Sequence, residues 1–290
     1  MTGFAAALRR CAGAGRVPVV PDFKPVSPAA GPLFAGRDMV EQARRMERAA
    51  RRIAQAEGNF AFPFRKALEG EDVAFICEVK KASPSKGIIA EDFPYLQIAR
   101  EYEAAGAAAI SCLTEPYWFL GSDRYLQEIT GAVSIPVLRK DFIRTVEQVE
   151  QSARLGAQAV LLICACLGPG ELERLYRAAH SCGLEPLVET HTQEEMRRAA
   201  ALGAQLVGVN NRDILALEKD GGTVATTARL AAGRPAGALL ISESGIETPA
   251  DVRAACRAGA QAVLVGTAIW RAGDPVAAYH ALARAGAGAG

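Results

Sequence analysis

From about residue 75 onward, short apolar runs alternate with longer segments in which Ala, Arg and Glu recur at helical spacing. The runs are apolar throughout, which is typical of parallel strands covered on both faces. Four boundaries (AAGAAAI, RLGAQAVLLI, ALGAQLVGV and RAGAQAVLV) place a helix-ending Gly just before a strand. The pattern predicts eight strands: Phe75–Val79, Ala107–Leu113, Pro136–Arg139, Ala157–Ile163, Leu184–Glu189, Gln205–Val209, Ala238–Ser242 and Ala262–Val265.

Eight strand–helix units in about 215 residues fit a closed (β/α)8 barrel better than an open doubly wound sheet. The predicted fold class is therefore α/β, a (β/α)8 TIM barrel with an N-terminal helical extension. We assign residues 58–290 to the barrel domain and 1–57 to the extension, in which Asp38–Glu57 has the pattern of an amphipathic, Arg-rich helix. The segment Phe60–Phe64 (FAFPF) is predicted to form an apolar turn that docks onto the barrel.

The extension contains an apparent repeat. Val19–Gly31 (VVPDFKPVSPAAG) is similar to Phe75–Gly87 (FICEVKKASPSKG) at a constant offset of 56 residues. The matched pairs are Asp22 with Glu78, Lys24 with Lys80, Ser27 with Ser83, Pro28 with Pro84 and Gly31 with Gly87. This is either a degenerate copy of the first strand–loop–helix unit or a chance similarity. A barrel closes at eight strands, and prolines flank the copy's short strand, so we expect Phe75–Val79 to hold the first position and the copy to lie outside the ring.

Composition narrows the function classes. The chain has 290 residues, half of them hydrophobic, which suffices for a sizeable core. A net charge of +1 argues against a nucleic-acid or membrane-surface protein, and no apolar run has the length of a membrane span. Seven cysteines among apolar neighbours indicate reduced thiols in a cytoplasmic protein. The three histidines form no metal or triad pattern, so we expect no metal site.

Polar side chains follow seven of the eight predicted strands, at the end where barrels of this class build their active sites. Together with a neighbouring aromatic residue and two glycines, the set comprises Glu78, Lys80 and Ser83 after the first strand, Glu115 and Phe119 after the second, Lys140 and Asp141 after the third, Glu189 after the fifth, Asn210 and Arg212 after the sixth, Glu243, Ser244 and Gly245 after the seventh, and Gly266 and Thr267 after the eighth. A solvated loop or a buried salt bridge would explain any one of these residues. Burying the whole set on one rim is costly unless the groups meet a ligand or one another.

Two glycine turns indicate a phosphate site. SESG after the seventh strand and VGTA after the eighth place Gly245 and Gly266 where a strand leads into a helix. Glycine lets backbone N–H groups approach a ligand closely, and the following helix adds positive potential. The alternative is two ordinary glycine turns.

The remaining groups favour proton transfer over acyl transfer, because no Ser-His-Asp or Cys-His set is available. They comprise two lysines, Lys80 and Lys140, and two carboxylates, Glu78 and Glu189. In a dry pocket, a lysine near another cation is expected to have a lowered pKa and a glutamate a raised one. Such pairs suit carbonyl activation, dehydration or decarboxylation, with a lysine Schiff base as the competing use.

Seven motifs, in order, resemble the indole-3-glycerol phosphate synthase family of tryptophan biosynthesis: CEVKKASPSKG, ISCLTEPYWFLGS, PVLRKDFI, EPLVET, GVNNRDI, ISESGI and VLVGTAIW. The resemblance covers residues 58–272 and is specific, since related phosphate-binding barrels share only the last two motifs. It implies a carboxy-lyase that decarboxylates and cyclises 1-(2-carboxyphenylamino)-1-deoxyribulose 5-phosphate to indole-3-glycerol phosphate. Carbon dioxide and water are released without a cofactor.

The resemblance also implies roles for catalytic residues. Lys140 would be the general acid of ring closure, and Glu189, with Glu78 near it, would serve the later proton transfers. Lys80 would pair with the substrate carboxylate or stabilise developing charge. Asn210 would orient the reacting centre, and Ser244 completes the implied catalytic set.

Substrate-binding roles follow from the same resemblance. Phe119 would stack on the aromatic ring and Arg212 would hold the anthranilate side, with Glu243 and Leu264 as further substrate contacts. The implied phosphate-binding residues are Ser83, Ser244, Gly245, Gly266 and Thr267. The chain departs from the family pattern at Ala90, where an Arg is common, at Thr267, where Ser is common, and throughout residues 1–57.

Two other functions remain open at this point. The chain could be a non-catalytic or repurposed barrel that binds a phosphorylated ligand. It could instead resemble phosphoribosylanthranilate isomerase, although Cys77 alternates with Glu78 and should point away from the pocket. The expected partner is a small phosphorylated, anthranilate-derived substrate, with no nucleic acid or membrane. The expected assembly is a monomer or weak homodimer in the cytoplasm.

Overall fold

The computed structural model describes residues 26–27, 31–32, 62–89, 92–216, 220–270, 272 and 274–287. Contacts divide the chain into Met1–Ala61 and Phe62–Gly290, and the second unit contains a closed ring of eight parallel strands. The strands are β1 (Ala74–Val79), β2 (Ala109–Leu113), β3 (Val137–Lys140), β4 (Ala159–Ile163), β5 (Glu185–Thr190), β6 (Leu206–Asn210), β7 (Leu239–Glu243) and β8 (Ala262–Val265). Each strand pairs with the next along the chain, and β8 closes the ring on β1.

Helices connect the strands and cover the ring. They are α1 (Pro63–Leu68), α2 (Tyr95–Ala105), α3 (Asp123–Ala132), α4 (Val146–Arg154), α5 (Pro169–Ser181), α6 (Gln193–Leu202), α7 (Ala225–Leu230), α8 (Pro249–Arg257), α9 (Thr267–Trp270) and α10 (Pro275–Gly286). Short 3-10 turns follow β4 and α7. In the part of the chain that the structure describes, no helix has the length and apolar character needed to cross a membrane.

The predicted (β/α)8 TIM barrel is confirmed, and every predicted strand lies within two residues of an observed one. The differences arise mainly where a helix passes into a strand. The amide of Ala107 donates to the carbonyl of Tyr102, and that of Ala157 donates to Ser152. These residues complete the C-terminal caps of α2 and α4, so the strands begin two residues later than their apolar runs.

Successive side chains on each strand point to opposite sides of the sheet, so the apolar residues form two layers, one outside and one inside the barrel. On β1, Phe75, Cys77 and Val79 are buried against the surrounding helices, whereas Ile76 points into the barrel. Inside the ring, Ile76 packs with a layer contributed by other strands: Leu138, Leu161, Leu187, Ile241 and Leu264. This interior layer fills the barrel below the C-terminal ends of the strands.

The floor of the barrel is closed by α1. Phe60–Phe64 was predicted to be a turn, which is wrong at Pro63 and Phe64 because a helix begins there; the docking of Phe64 is confirmed by its complete burial inside the barrel. The backbone N–H groups of Phe64 and Arg65 donate to the buried carboxylate of Glu185 at 2.5 and 2.8 Å. Proline at the first helical position and a carboxylate at the helix start both favour this short helix.

Glu185 makes the stability of the protein depend on pH. Burial raises its pKa from 4.5 to about 7, although the hydrogen bonds from Arg65 and Phe64 oppose the rise. Because the unfolded chain releases this proton first, the free energy of unfolding should fall as pH rises from about 4.5 to about 7, by about 1–3 kcal/mol. Urea unfolding across this pH range should show that Glu185→Gln loses less free energy of unfolding than the parent. The variant Glu173→Gln, at an exposed position, should lose as much as the parent does. If the free energy of unfolding depends on pH equally in the parent and in Glu185→Gln, this pH dependence does not come from Glu185.

The repeat predicted in the extension has a structural counterpart. Val26–Ser27 pairs antiparallel with Gly31–Pro32, and in the first barrel loop Ala82–Ser83 pairs antiparallel with Gly87–Ile88. Both pairs have the same register and are separated by the same 56 residues as the sequence repeat. Whether the repeat is a copied loop or a chance similarity is not decided by these pairings, and the copied loop stays a prediction. The helix predicted at Asp38–Glu57 lies outside the described residues.

The ring position predicted for the first strand is confirmed, since β1 lies hydrogen-bonded between β8 and β2. The double variant Asp22→Ala/Lys24→Ala should therefore keep turnover within about threefold of the parent, whereas Lys80→Ala should lose about 10²-fold or more. Steady-state rates on the purified full chain would test this. A large loss in the double variant would mean that the copied segment carries chemistry.

Candidate active site

A narrow cavity opens at the C-terminal ends of the strands. The residues predicted at the strand ends that line it are Glu115, Phe119, Lys140, Asp141, Glu189 and Asn210. Its apolar wall consists of residues that the sequence analysis did not single out: Leu113, Phe142, Leu161, Ile163 and Ile214. Leu161 and Ile163 could have been found from alternation along β4, because both face the interior near the strand end.

Lys140 is the centre of a buried ionic cluster. Its Nζ donates to Glu243 Oε2 at 2.8 Å and to Glu189 Oε2 at 3.3 Å, and only 8% of the residue is exposed. Burial alone would lower the pKa of Lys140, but the carboxylates of Glu243, Glu189 and Glu78 outweigh it and hold that pKa well above its ordinary value. The expectation of a lysine pKa lowered by a second cation is therefore wrong for Lys140. Its ammonium group stays protonated at neutral pH, as a proton donor requires.

Glu243 lies completely buried beneath this lysine and does not line the cavity. Burial raises its pKa to about 7, while the neighbouring Lys140 acts in the opposite direction. Its Oε1 has no hydrogen-bond partner among the described residues. The carboxyl fits because residue 208 is glycine, since a Cβ there would lie 1.8 Å from Glu243 Oε1.

Glu78 and Lys80 extend from the end of β1. The Lys80 ammonium pairs with Glu78 Oε1, and both side chains are largely buried. Their position on one side of the strand agrees with the two-residue spacing in the sequence. A Cβ at Gly266 would lie 2.9 Å from Glu78 Oε1, so this glycine leaves room for the carboxylate.

Asn210 connects two predicted site residues. Its Nδ2 donates to Glu189 Oε1 at 3.2 Å, and its Oδ1 accepts the backbone N–H of Arg212 at 3.0 Å. The guanidinium of Arg212 reaches Glu247 at 3.4 Å. Hydrogen bonds therefore connect the end of β6 to the carboxylate on β5, and Lys140, Glu189 and Asn210 form one network.

A strained turn forms the end of β7. Ser244 has a φ of 62° and Gly245 a φ of 68°, and a left-handed serine at a strand end is uncommon. Asn211 stabilises the turn by donating its Nδ2 to the carbonyl of Ser244 at 2.9 Å, and its Oδ1 accepts from Thr227. No sequence pattern indicates this role for Asn211, because its partners come from separate elements.

The other predicted residues do not line the cavity. The hydroxyl of Ser83 is buried in its own loop, where it accepts the N–H of Lys86 at 3.2 Å. Leu264 belongs to the interior layer of the barrel, level with Glu243 on the neighbouring strand. Gly266 precedes α9, where its carbonyl accepts from Ile269 and Trp270, and Thr267 is the first residue of that helix.

None of the six described cysteines lines the cavity. Cys77 packs on the outer side of β1, as predicted, and burial raises its pKa. The six described cysteines are all free. The described residues also include no group of three or more His, Cys, Asp or Glu side chains that could hold a metal ion.

Comparison with known proteins gives a consistent result. The family described as indole-3-glycerol phosphate synthase matches residues 52–282. Three relatives carry that same name. The protein from Ruminiclostridium cellulolyticum is 49% identical over 73% of this chain and 81% of its own length, and that from Geobacillus thermodenitrificans is 49% identical over 76% and 85%. The relative from Azospirillum brasilense is 42% identical over 80% of this chain and 87% of its own length.

Proposed function

The chain belongs to the indole-3-glycerol phosphate synthase family, and we propose that its cavity converts 1-(2-carboxyphenylamino)-1-deoxyribulose 5-phosphate to indole-3-glycerol phosphate. The observation that carries this proposal is the buried, protonated Lys140 held by Glu243 and Glu189 at the wall of an apolar cavity. A dry wall suits an aromatic ring, and a fixed ammonium suits a developing alkoxide. The protein is thus a carboxy-lyase of tryptophan biosynthesis.

Ring closure is assigned to Lys140. The ring carbon that carries the carboxylate attacks the ketone carbon, and the ketone oxygen takes a proton from Nζ to become a hydroxyl. Carbon dioxide then leaves, and its bonding electrons restore the aromatic ring. Because Glu243 is completely buried against Lys140, its carboxyl is placed to stabilise the ammonium before transfer and to return a proton afterwards.

Dehydration is assigned to the carboxylates. The new hydroxyl leaves as water with a proton from the neighbouring methylene carbon, which requires one group to donate and one to accept a proton. Glu189 lines the cavity and is oriented by Asn210, and Glu78 lies paired with Lys80 on β1. In this proposal Glu189 and Glu78 serve these transfers, and Lys80 faces the substrate carboxylate or stabilises the developing charge.

Substrate binding is divided between the two sides of the barrel mouth. Phe119 presents an apolar ring at the cavity wall. In this proposal Arg212, which follows β6, holds the anthranilate side. The phosphate is assigned to the glycine turns after β7 and β8 and to Ser83. In this proposal Ser244 and Thr267 offer hydroxyls, whereas Gly245 and Gly266 offer close backbone approach.

The phosphate assignment predicts a specific effect on KM. Gly245→Ala would place a Cβ 2.8 Å from the carbonyl of Gly222 and strain a residue with a φ of 68°. KM should rise about tenfold as the turn shifts, with a smaller change in kcat. Gly203→Ala is a matched control, since Gly203 has a φ of 69° but no heavy atom within 4 Å. An unchanged KM in Gly245→Ala would mean that the phosphate binds elsewhere.

The decisive experiment is an assay of the full chain with the synthetic phosphorylated substrate, read by the fluorescence of the indole product. Turnover supports the proposal, and binding without turnover would favour the repurposed barrel. An Amadori rearrangement of phosphoribosylanthranilate would favour the isomerase, but the outward position of Cys77 argues against it.

We infer further that the protein acts in the cytoplasm as a monomer or weak homodimer, with no nucleic-acid partner. A phosphorylated substrate and unpaired thiols are consistent with a reducing cell interior. We also retain residues 1–57 as an extension to a barrel domain of residues 58–290. Gel filtration with light scattering would test the assembly state.

A further inference from the structure

The loop after β2 is folded around a buried carboxylate that the roles assigned so far do not use. Glu115 is only 5% exposed. Its Oε1 accepts the backbone N–H of Tyr117 at 2.9 Å, and its Oε2 accepts those of Trp118 at 2.7 Å and Phe119 at 2.9 Å. Hydrogen bonds from backbone N–H groups to a carboxylate are among the stronger ones in proteins. One side chain therefore fixes the backbone of three successive residues.

The same loop is closed tightly at its other end. The carbonyl of Glu115 accepts the N–H of Gly121 at 2.7 Å. Leu120 has a φ of 51°, and a Cβ at Gly121 would lie 2.5 Å from the carbonyl oxygen of Leu113. A turn of this shape has little freedom to move while Glu115 keeps its bonds. The ring of Phe119, which lines the cavity, is thereby fixed relative to Lys140.

A second loop depends on the first. The carbonyl of Phe119 accepts the N–H of Ala82 at 3.2 Å. Ala82 and Ser83 form one side of the antiparallel pair in the loop after β1, opposite Gly87–Ile88. A shift of the Phe119 backbone would therefore also release the loop that carries Ser83.

We propose that Glu115 is a positioning residue that couples these loops, because its carboxylate fixes Phe119 and, through the Phe119 carbonyl, the Ala82–Ser83 segment. This inference rests on the proposed function, in which Phe119 contacts the aromatic ring and Ser83 the phosphate. Glu115 also lines the cavity, but both of its carboxylate oxygens accept backbone N–H groups, so in this proposal it acts through other residues and transfers no proton. It sets the affinity for the substrate by holding both contacts in register.

The variant Glu115→Gln keeps the size of the side chain but replaces one acceptor oxygen by an amide that cannot accept these N–H groups. Substrate KM should rise about tenfold or more, with kcat within about threefold of the parent. The inhibition constant of inorganic phosphate as a competitive inhibitor, called the phosphate constant below, should also rise severalfold. A rise in KM with an unchanged phosphate constant would overturn the coupling, and an unchanged KM would overturn the whole inference.

A matched control exists at the opposite end of the barrel. Glu185 is equally buried and also accepts backbone N–H groups, yet it lies at the floor. Glu185→Gln should leave both KM and the phosphate constant unchanged. If it raises them as Glu115→Gln does, the effect is general loss of structure and the inference is wrong.

A spectroscopic readout keeps the test independent of turnover. The chain has two tryptophans, Trp118 and Trp270, so Trp270→Phe leaves only the one in this loop. In that background, Glu115→Gln should increase acrylamide quenching of Trp118 about twofold, and unchanged quenching would contradict the proposal. An inactive parent with increased quenching would instead count against the proposed function.

A second variant tests the link between the loops should Glu115→Gln fail to fold. Ala82→Pro removes the N–H that donates to the Phe119 carbonyl and leaves Glu115 intact. It should raise the phosphate constant severalfold without changing the quenching of Trp118. An unchanged phosphate constant would show that the two loops are independent.

Discussion

Replacing Lys140 by Met should lower kcat by about 10²–10⁴-fold while substrate binding survives. The substitution keeps the length and apolar stem of the side chain but removes the proton that ring closure needs. It also removes the only charge partner within 4 Å recorded for Glu243 in the described structure. With a pKa already raised to about 7, that carboxyl can take up a proton instead of remaining charged, so the fold should persist.

The measurement is single-turnover kinetics on Lys140→Met, with substrate affinity determined separately by equilibrium binding. Lys66→Met is the matched control, because Lys66 is exposed on α1 at the floor of the barrel. It should behave as the parent does. A Lys140→Met protein that turns over within about threefold of the parent would require another proton donor.

Replacing Gly208 by Ala should reduce kcat by about 10²-fold with little change in KM. The new Cβ would lie 1.8 Å from Glu243 Oε1, so this carboxyl must move and with it the ammonium of Lys140. A misplacement of about 1 Å at a reacting group commonly costs this much in rate. The glycine itself touches no substrate, so the effect should appear in kcat.

A double-mutant cycle isolates the cause. In a Glu243→Ala background the clash is gone, so adding Gly208→Ala should change kcat by no more than about twofold. Gly170→Ala, on α5 with open space around it, should leave the kinetics unchanged. If the losses in kcat caused by Gly208→Ala and Glu243→Ala are additive, Gly208 does not act through the carboxyl of Glu243.

The barrel could be predicted because short stretches of sequence indicate each of its strands and helices. Each helix-ending glycine and each apolar run defines one unit, and Lys140 and Glu189 follow directly as polar residues at strand ends. Chain order alone then brings these ends to one face. The position of Phe119 in the cavity wall follows from the same rule.

Other parts of the site depend on contacts between distant segments and could not be predicted. The partner of Lys140 inside the barrel is Glu243, 103 residues away, and the space for it is left by Gly208. A sequence pattern indicates that Lys140 is buried but not which charges surround it. For this reason the predicted direction of its pKa shift was wrong. The roles of Asn211 and Glu115 are similarly invisible, because both act on the backbone of a loop.

The interior apolar layer separates two buried acidic groups at opposite ends of β5. Glu185 and Glu189 are four residues apart on β5, which places them roughly 13 Å apart along the strand, with Leu187 of the layer between them. Among the residues that the structure describes, no chain of hydrogen bonds joins them through this hydrocarbon, so the layer acts as an insulator to protons. The pH at which the protein is most stable and the pH at which it is most active are therefore separate properties. The first can be engineered at the floor of the barrel while the second is left as it is.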